Sequence, residues 1–120
     1  MALTAIRMTA VAGVLAMVVA IARAFTVASF PEDGATLLAL AWGQVTLVDL
    51  YLALLLGWGW IAWRERSVPR ALGWLVATVT LGSLALFVYL LMASVRAQGP
   101  TEVVVGPHRG PVAGRHRNPR

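Results

Sequence analysis

Residues 72–94, LGWLVATVTLGSLALFVYLLMAS, run from Leu72 to Ser94 without one charged side chain. The hydrocarbon core of a bilayer is ~30 Å thick and takes roughly 20 helical residues to cross, so this stretch reads as a complete span. Two more apolar stretches precede it, about Met8 to Phe30 and Trp42 to Trp63, and each carries a charge inside: Arg23 in the first, Asp49 in the second. Together they predict an all-α integral membrane protein, a three-transmembrane-helix bundle over residues 1–96 followed by a disordered C-terminal tail over 97–120.

Composition supports that class. The chain has 120 residues, 59% of them hydrophobic and only 12% charged, with a mean hydropathy of +0.77. A soluble domain of this size is usually about 25% charged. All ten basic residues are arginine and no cysteine is present, which excludes disulfides, thiolate metal sites and cysteine nucleophiles. The arginines stand at the ends of the apolar stretches or in the tail rather than in one patch, so the formal charge of +5 speaks for membrane topology and against nucleic acid as a partner.

The first stretch admits a second reading. Arg7, the apolar run Met8 to Ala22 and the small-residue pattern Ala22-Arg23-Ala24 imitate a cleavable signal peptide. Apolar character resumes from Ala24 to Phe30, which suits a retained span better.

Between the spans, Pro31-Glu32-Asp33-Gly34 carries a turn signal and two carboxylates and is expected in water, while Ala35 to Ala41 is apolar enough to begin the second helix early. The second connection, Arg64 to Arg70, is tight and holds four charges, with Ser67 as helix cap and Pro69 in a first turn. Spans two and three are therefore expected as an antiparallel hairpin. Trp58, Trp60, Trp63 and Trp74 gather near this connection as an interfacial belt, and Trp42 marks the opposite face. Arg7, Arg64, Arg66 and Arg70 would share one side, which favours an N-terminus inside and a C-terminus outside.

Each span offers one small or polar face. Ala12, Ala16, Ala20 and Ala24 recur every four residues, continuing to Ala28, as a ridge on which another helix can approach closely. Gly82 shares a stripe with Thr78, Ala85, Tyr89 and Ala93 in the third span. Arg23 and Asp49 both lie roughly 10–13 Å below the first connection at ~1.5 Å per residue, so they can meet. With the third span exiting on that side, Tyr89 joins them in an intramembrane polar layer. Such a layer reads first as an ion pair that fixes helix register. Its functional alternative is a proton or cation site at Asp49, in a small oligomeric transporter or channel subunit.

No histidine lies in a span, because His108 and His116 are in the tail, so helical haem ligation is excluded. The sequence offers no serine triad, phosphate-cradling loop or metal-ligand spacing, and points to no enzyme activity and no cofactor. The expected partners are the lipid bilayer and either a second copy or another membrane protein. A tail that recruits a soluble partner is a weaker possibility.

The stretch Trp42 to Tyr51, the exit Trp60 to Glu65, and Leu81-Gly82-Ser83 through Tyr89 resemble an uncharacterised family of small bacterial three-helix membrane proteins, catalogued only as a domain of unknown function. The likeness covers about Met8 to Ser94. It maps that family's acidic residue, following aromatic, acidic exit and third-helix glycine onto Asp49, Tyr51, Glu65 and Gly82. Ser83 stands where the family has asparagine, and Arg23 has no counterpart. The resemblance implies a fold and a location, with no activity attached.

Overall fold

The computed structural model describes residues 1–106, and these form six helices: α1 Ala2–Val27, α2 Phe30–Ala39, α3 Ala41–Glu65, α4 Val68–Leu81, α5 Ser83–Arg96 and α6 Pro100–Val105. The chain is all-α, with no strand among the described residues. Two helices, α1 with 26 residues and α3 with 25, are long and apolar enough to cross a bilayer. Little of either is buried within the chain.

The stretch 72–94, expected as a third span, is not one continuous helix. It is divided between α4 and α5, which have 14 residues each, about 21 Å apiece and short of a hydrocarbon core. The break is Gly82, at φ 61° and ψ −137°, a conformation essentially closed to residues with a Cβ. Its N–H donates to the Thr78 carbonyl at 2.9 Å, and its own carbonyl accepts from the Ala85 N–H at 3.2 Å, so the reversal leaves the glycine's backbone paired. Beyond it the chain folds back. The rings of Trp74 and Tyr89 are 5.0 Å apart, whereas one continuous helix would hold them about 22 Å apart.

This α4–α5 hairpin stands between the long helices. On one side, α1 runs antiparallel to α5: Arg7 donates to the Ser94 carbonyl from Nε at 3.1 Å and Nη2 at 2.9 Å, and Gly13 faces the Phe87 ring. On the other, the Trp58 indole N–H donates to the Ala71 carbonyl of α4 at 2.8 Å, and Gly57 faces Leu86 of α5. Ser67 is the N-cap of α4 and Pro69 lies in its first turn, as the sequence predicts.

The alanine ridge does not make these contacts. Ala12, Ala16, Ala20 and Ala24 are exposed, and the packed face of α1 is Leu3, Ile6, Ala10, Gly13 and Met17, at alternating steps of three and four. The reason is steric. Phe87 needs the hole that Gly13 leaves, and seating that ring turns Ala12, Ala16 and Arg23 about 100–140° away from the packed face at ~100° per residue. Gly13→Val would place its Cβ inside the ring's volume. The expected loss is about 1–3 kcal/mol in detergent unfolding, by overpacking, with part of it regained when Phe87 is also shortened to leucine. Unchanged unfolding of the single variant would refute this packing.

The first connection is also helical. Pro31 opens α2, and Glu32 and Asp33 sit in its first turn, where the helix dipole favours them. This short helix rests on the start of α3, where Gly43 lies against the Leu37 carbonyl and Gln44 Nε2 donates to the Leu38 carbonyl at 2.8 Å.

A further departure concerns residues 97–106, expected as part of the tail. They turn back onto the bundle as α6: Val103 is 1% exposed and joins Ile61, Tyr89, Ala93 and Ala97 in the core. The remaining tail positions, 107–120, with both histidines, lie outside the described residues. The start of α1, the end of α3, the end of α5 and α6 therefore meet at one end of the molecule. Arg7, Arg64, Arg66, Arg70 and Arg96 all belong to that end, while α2 at the other end holds Glu32 and Asp33 and no arginine. The expectation that the two ends of the chain fall on opposite sides rested on 72–94 as one continuous helix, which the structure divides at Gly82.

Candidate functional site

Tyr89 organises the arginine-rich end. It is 2% exposed, held edge-on by Trp60 at 5.5 Å and Trp74 at 5.0 Å between ring centroids. These edge-to-face contacts match the positive rim of one ring to the negative face of another. Its hydroxyl donates to Glu65 Oε1 at 2.8 Å and accepts from Arg64 Nη1 at 3.0 Å. Both capacities of that oxygen are filled.

The partners come from the exit of α3, where Arg64 and Glu65 point back over the α5 hydroxyl. Glu65 also faces Arg70 of α4, with Oε2 to Nη1 at 3.7 Å. Arg64 Nη2 reaches the Glu102 carbonyl of α6 at 3.3 Å, while its Nε is buried with no hydrogen-bond partner. Glu102 folds back over the start of α6, its Oε2 accepting the Gln98 N–H at 2.7 Å. Trp60 closes the set by donating to the Val104 carbonyl at 3.1 Å. Four helices thus converge on one polar cluster, and beside it opens a cavity of about 250 Å³ lined by Arg64, Glu65, Arg70, Arg96, Ala97 and Glu102.

The expected polar layer of Arg23, Asp49 and Tyr89 is not assembled within the chain. Arg23 and Asp49 are both exposed, on the outer halves of α1 and α3, and no ion pair joins them among the described residues. Tyr89 is indeed buried and hydrogen-bonded, but at the opposite end. The reversal at Gly82 carries it back to the second connection instead of on toward the first. Gly82 itself is the turn and not a packing position.

Sequence reasoning missed Arg64, Glu65, Arg70, Arg96 and Glu102 as one group. The available signal was Gly82-Ser83 at the middle of the apolar run, since Gly/Ser pairs are a recognised site of sharp helix breaks. The tryptophans expected as an interfacial belt are divided. Trp58, Trp60 and Trp74 serve packing and hydrogen bonds, whereas Trp63 and Trp42 are largely exposed.

Chemically, the cluster holds Arg64, Glu65 and Glu102 in hydrogen bonds, with Arg70 and Arg96 beside them. Among the described residues no three side chains of metal-binding type come together. Comparisons with protein-family models, with curated proteins and with solved structures returned no match. The resemblance along Met8 to Ser94 therefore rests on its short motifs alone.

Proposed function

We propose that this chain is a small membrane protein of two spans, α1 and α3, with a structural or accessory role in a membrane assembly formed with a second copy of itself. The observation that carries this reading is the pair of charges left over. Arg23 and Asp49 sit on exposed apolar faces of the two long helices with no ion pair of their own among the described residues. A charge facing hydrocarbon at mid-membrane costs about 2.5–3.5 kcal/mol, and a two-fold dimer offsets both charges at once, since Arg23 of each copy then meets Asp49 of the other. The exposed Ala12 and Ala16 lie on the same face as Arg23 and permit close approach.

Retention of α1 is supported by its contacts. Arg7 and Gly13, which a signal peptidase would remove, hold α5 in place. Five arginines at one end, counted against none on α2, favour that end in the cytoplasm, with the start of α1 and the described C-terminal residues both inside.

Purified protein in detergent is expected to be dimeric by light scattering. Arg23→Glu or Asp49→Arg alone should loosen the dimer by about 2–5 kcal/mol, more than tenfold in dissociation constant. The double charge swap should restore it. A monomeric parent, or a double swap no better than the singles, would overturn the dimer. If Asp49→Asn abolished ion flux in reconstituted vesicles, the rival transporter role would replace the structural one.

A further inference from the structure

We infer that the cavity between α3, α5 and α6 is a binding site for a phosphate group, such as the headgroup phosphate of an anionic lipid. Three guanidinium groups border it, from Arg64, Arg70 and Arg96, against two carboxylates. The carboxylates are already engaged: Glu65 by the Tyr89 hydroxyl and Glu102 by the Gln98 N–H. The arginines keep donors free: Arg64 spends only Nη1 on the Tyr89 hydroxyl and Nη2 on the Glu102 carbonyl, and Arg70, 74% exposed, faces Glu65 at 3.7 Å, beyond hydrogen-bond range. Arg96, the last residue of α5, has no ion pair among the described residues. Arg64 keeps a buried, unpartnered Nε. Guanidinium forks match phosphate oxygens two at a time, which makes a ring of arginines a better phosphate cradle than an equal number of lysines.

The size and surroundings favour a headgroup. At about 30 Å³ per water, a cavity of about 250 Å³ exceeds what one inorganic phosphate fills. An exposed apolar strip also runs along α3 past Leu52, Leu56, Gly59, Trp60 and Trp63, about 17 Å at helical rise. Trp60 and Arg64 are one turn apart on one face, so the strip ends within one turn of the cavity. The strip suits an acyl chain. Basic pockets between membrane helices on the cytoplasmic side are a recognised form of lipid headgroup site.

This inference rests on the membrane reading above for its lipid source, though the phosphate chemistry does not depend on it. The test uses the full chain in detergent. Thermal unfolding is followed with added phosphatidylglycerol, with phosphatidylcholine, and with inorganic phosphate, for the parent, Arg70→Gln/Arg96→Gln, and Arg66→Gln as a charge control outside the cavity. The parent should be stabilised by phosphatidylglycerol and not by phosphatidylcholine. The double variant should need about tenfold more lipid per arginine removed for the same shift, while Arg66→Gln matches the parent. Stabilisation by inorganic phosphate to the same extent assigns the site to free phosphate. No response to either anion, or an equal loss in Arg66→Gln, overturns the site. Alkaline extraction of the parent from membranes is scored separately, so failure of the membrane reading is told apart from failure of the cavity.

Discussion

Truncating Tyr89 to alanine should lower stability in detergent unfolding by about 3–5 kcal/mol, the range for losing a large buried aromatic ring. The ring touches Trp60 and Trp74 and lies under the Arg64 guanidinium, whose carbon is 5.5 Å from its centroid. The milder change is the more diagnostic. Tyr89→Phe keeps the ring but strips Arg64 Nη1 and Glu65 Oε1 of their shared partner, and leaving such groups unpaired costs about 1–3 kcal/mol. A second substitution at Glu65, to glutamine, should cost little more once the hydroxyl is gone. Strict additivity of the two changes would mean that the hydroxyl and Glu65 are not coupled, contrary to their 2.8 Å hydrogen bond.

Gly82→Ala is expected to act on topology as well as on stability. A Cβ at this position meets no atom within 4 Å, so any effect comes from the backbone and not from crowding. Holding a non-glycine residue in that conformation costs about 1–3 kcal/mol. The same change favours a continuous helix by about 1 kcal/mol. Both effects push the chain toward a single long helix over α4 and α5, which would carry α6 to the other side. Asparagine should not rescue the turn, because its tolerance is for the left-handed helical region, and ψ −137° lies outside it. With no native cysteine, Thr101→Cys is a clean reporter. It should react with an impermeant reagent from the side of the Arg64–Arg70 connection in the parent, and from both sides in Gly82→Ala. Single-sided labelling together with unchanged unfolding would sink the claim that this glycine decides the path.

These two residues also mark how far the sequence could be read. The helical content, α1 and α3 were legible because their apolar runs are long and continuous, and hydropathy integrates over such lengths. The Ser67–Pro69 start of α4 was legible because cap and proline act locally. Gly82 was visible but misassigned. A glycine in an apolar run suits close helix packing as well as a reversal, and only the contacts between Trp74 and Tyr89 discriminate. The face of α1 failed for a related reason. Alanines at steps of four advertise a ridge, yet a single glycine opposite Phe87 sets the rotation. Pro100 to Val105 was read as tail because Gly99 and Gly106 flank it, while the burial of Val103 depends on a surface built by four other segments.

The hairpin has a consequence for how such a chain would enter a membrane. With α1 and α3 as the crossings, α4, α5 and α6 never need to be translocated, since both ends of the hairpin return to the side from which they came. The segment that must be delivered to the far side is the short run around α2, residues 28–40, which holds Glu32 and Asp33 and no cation. Every arginine but Arg23 in the described chain would then stay on the side of synthesis. On the proposed two-span reading, insertion would reduce to moving one small acidic loop, with the cluster around Tyr89 assembled on the side of synthesis.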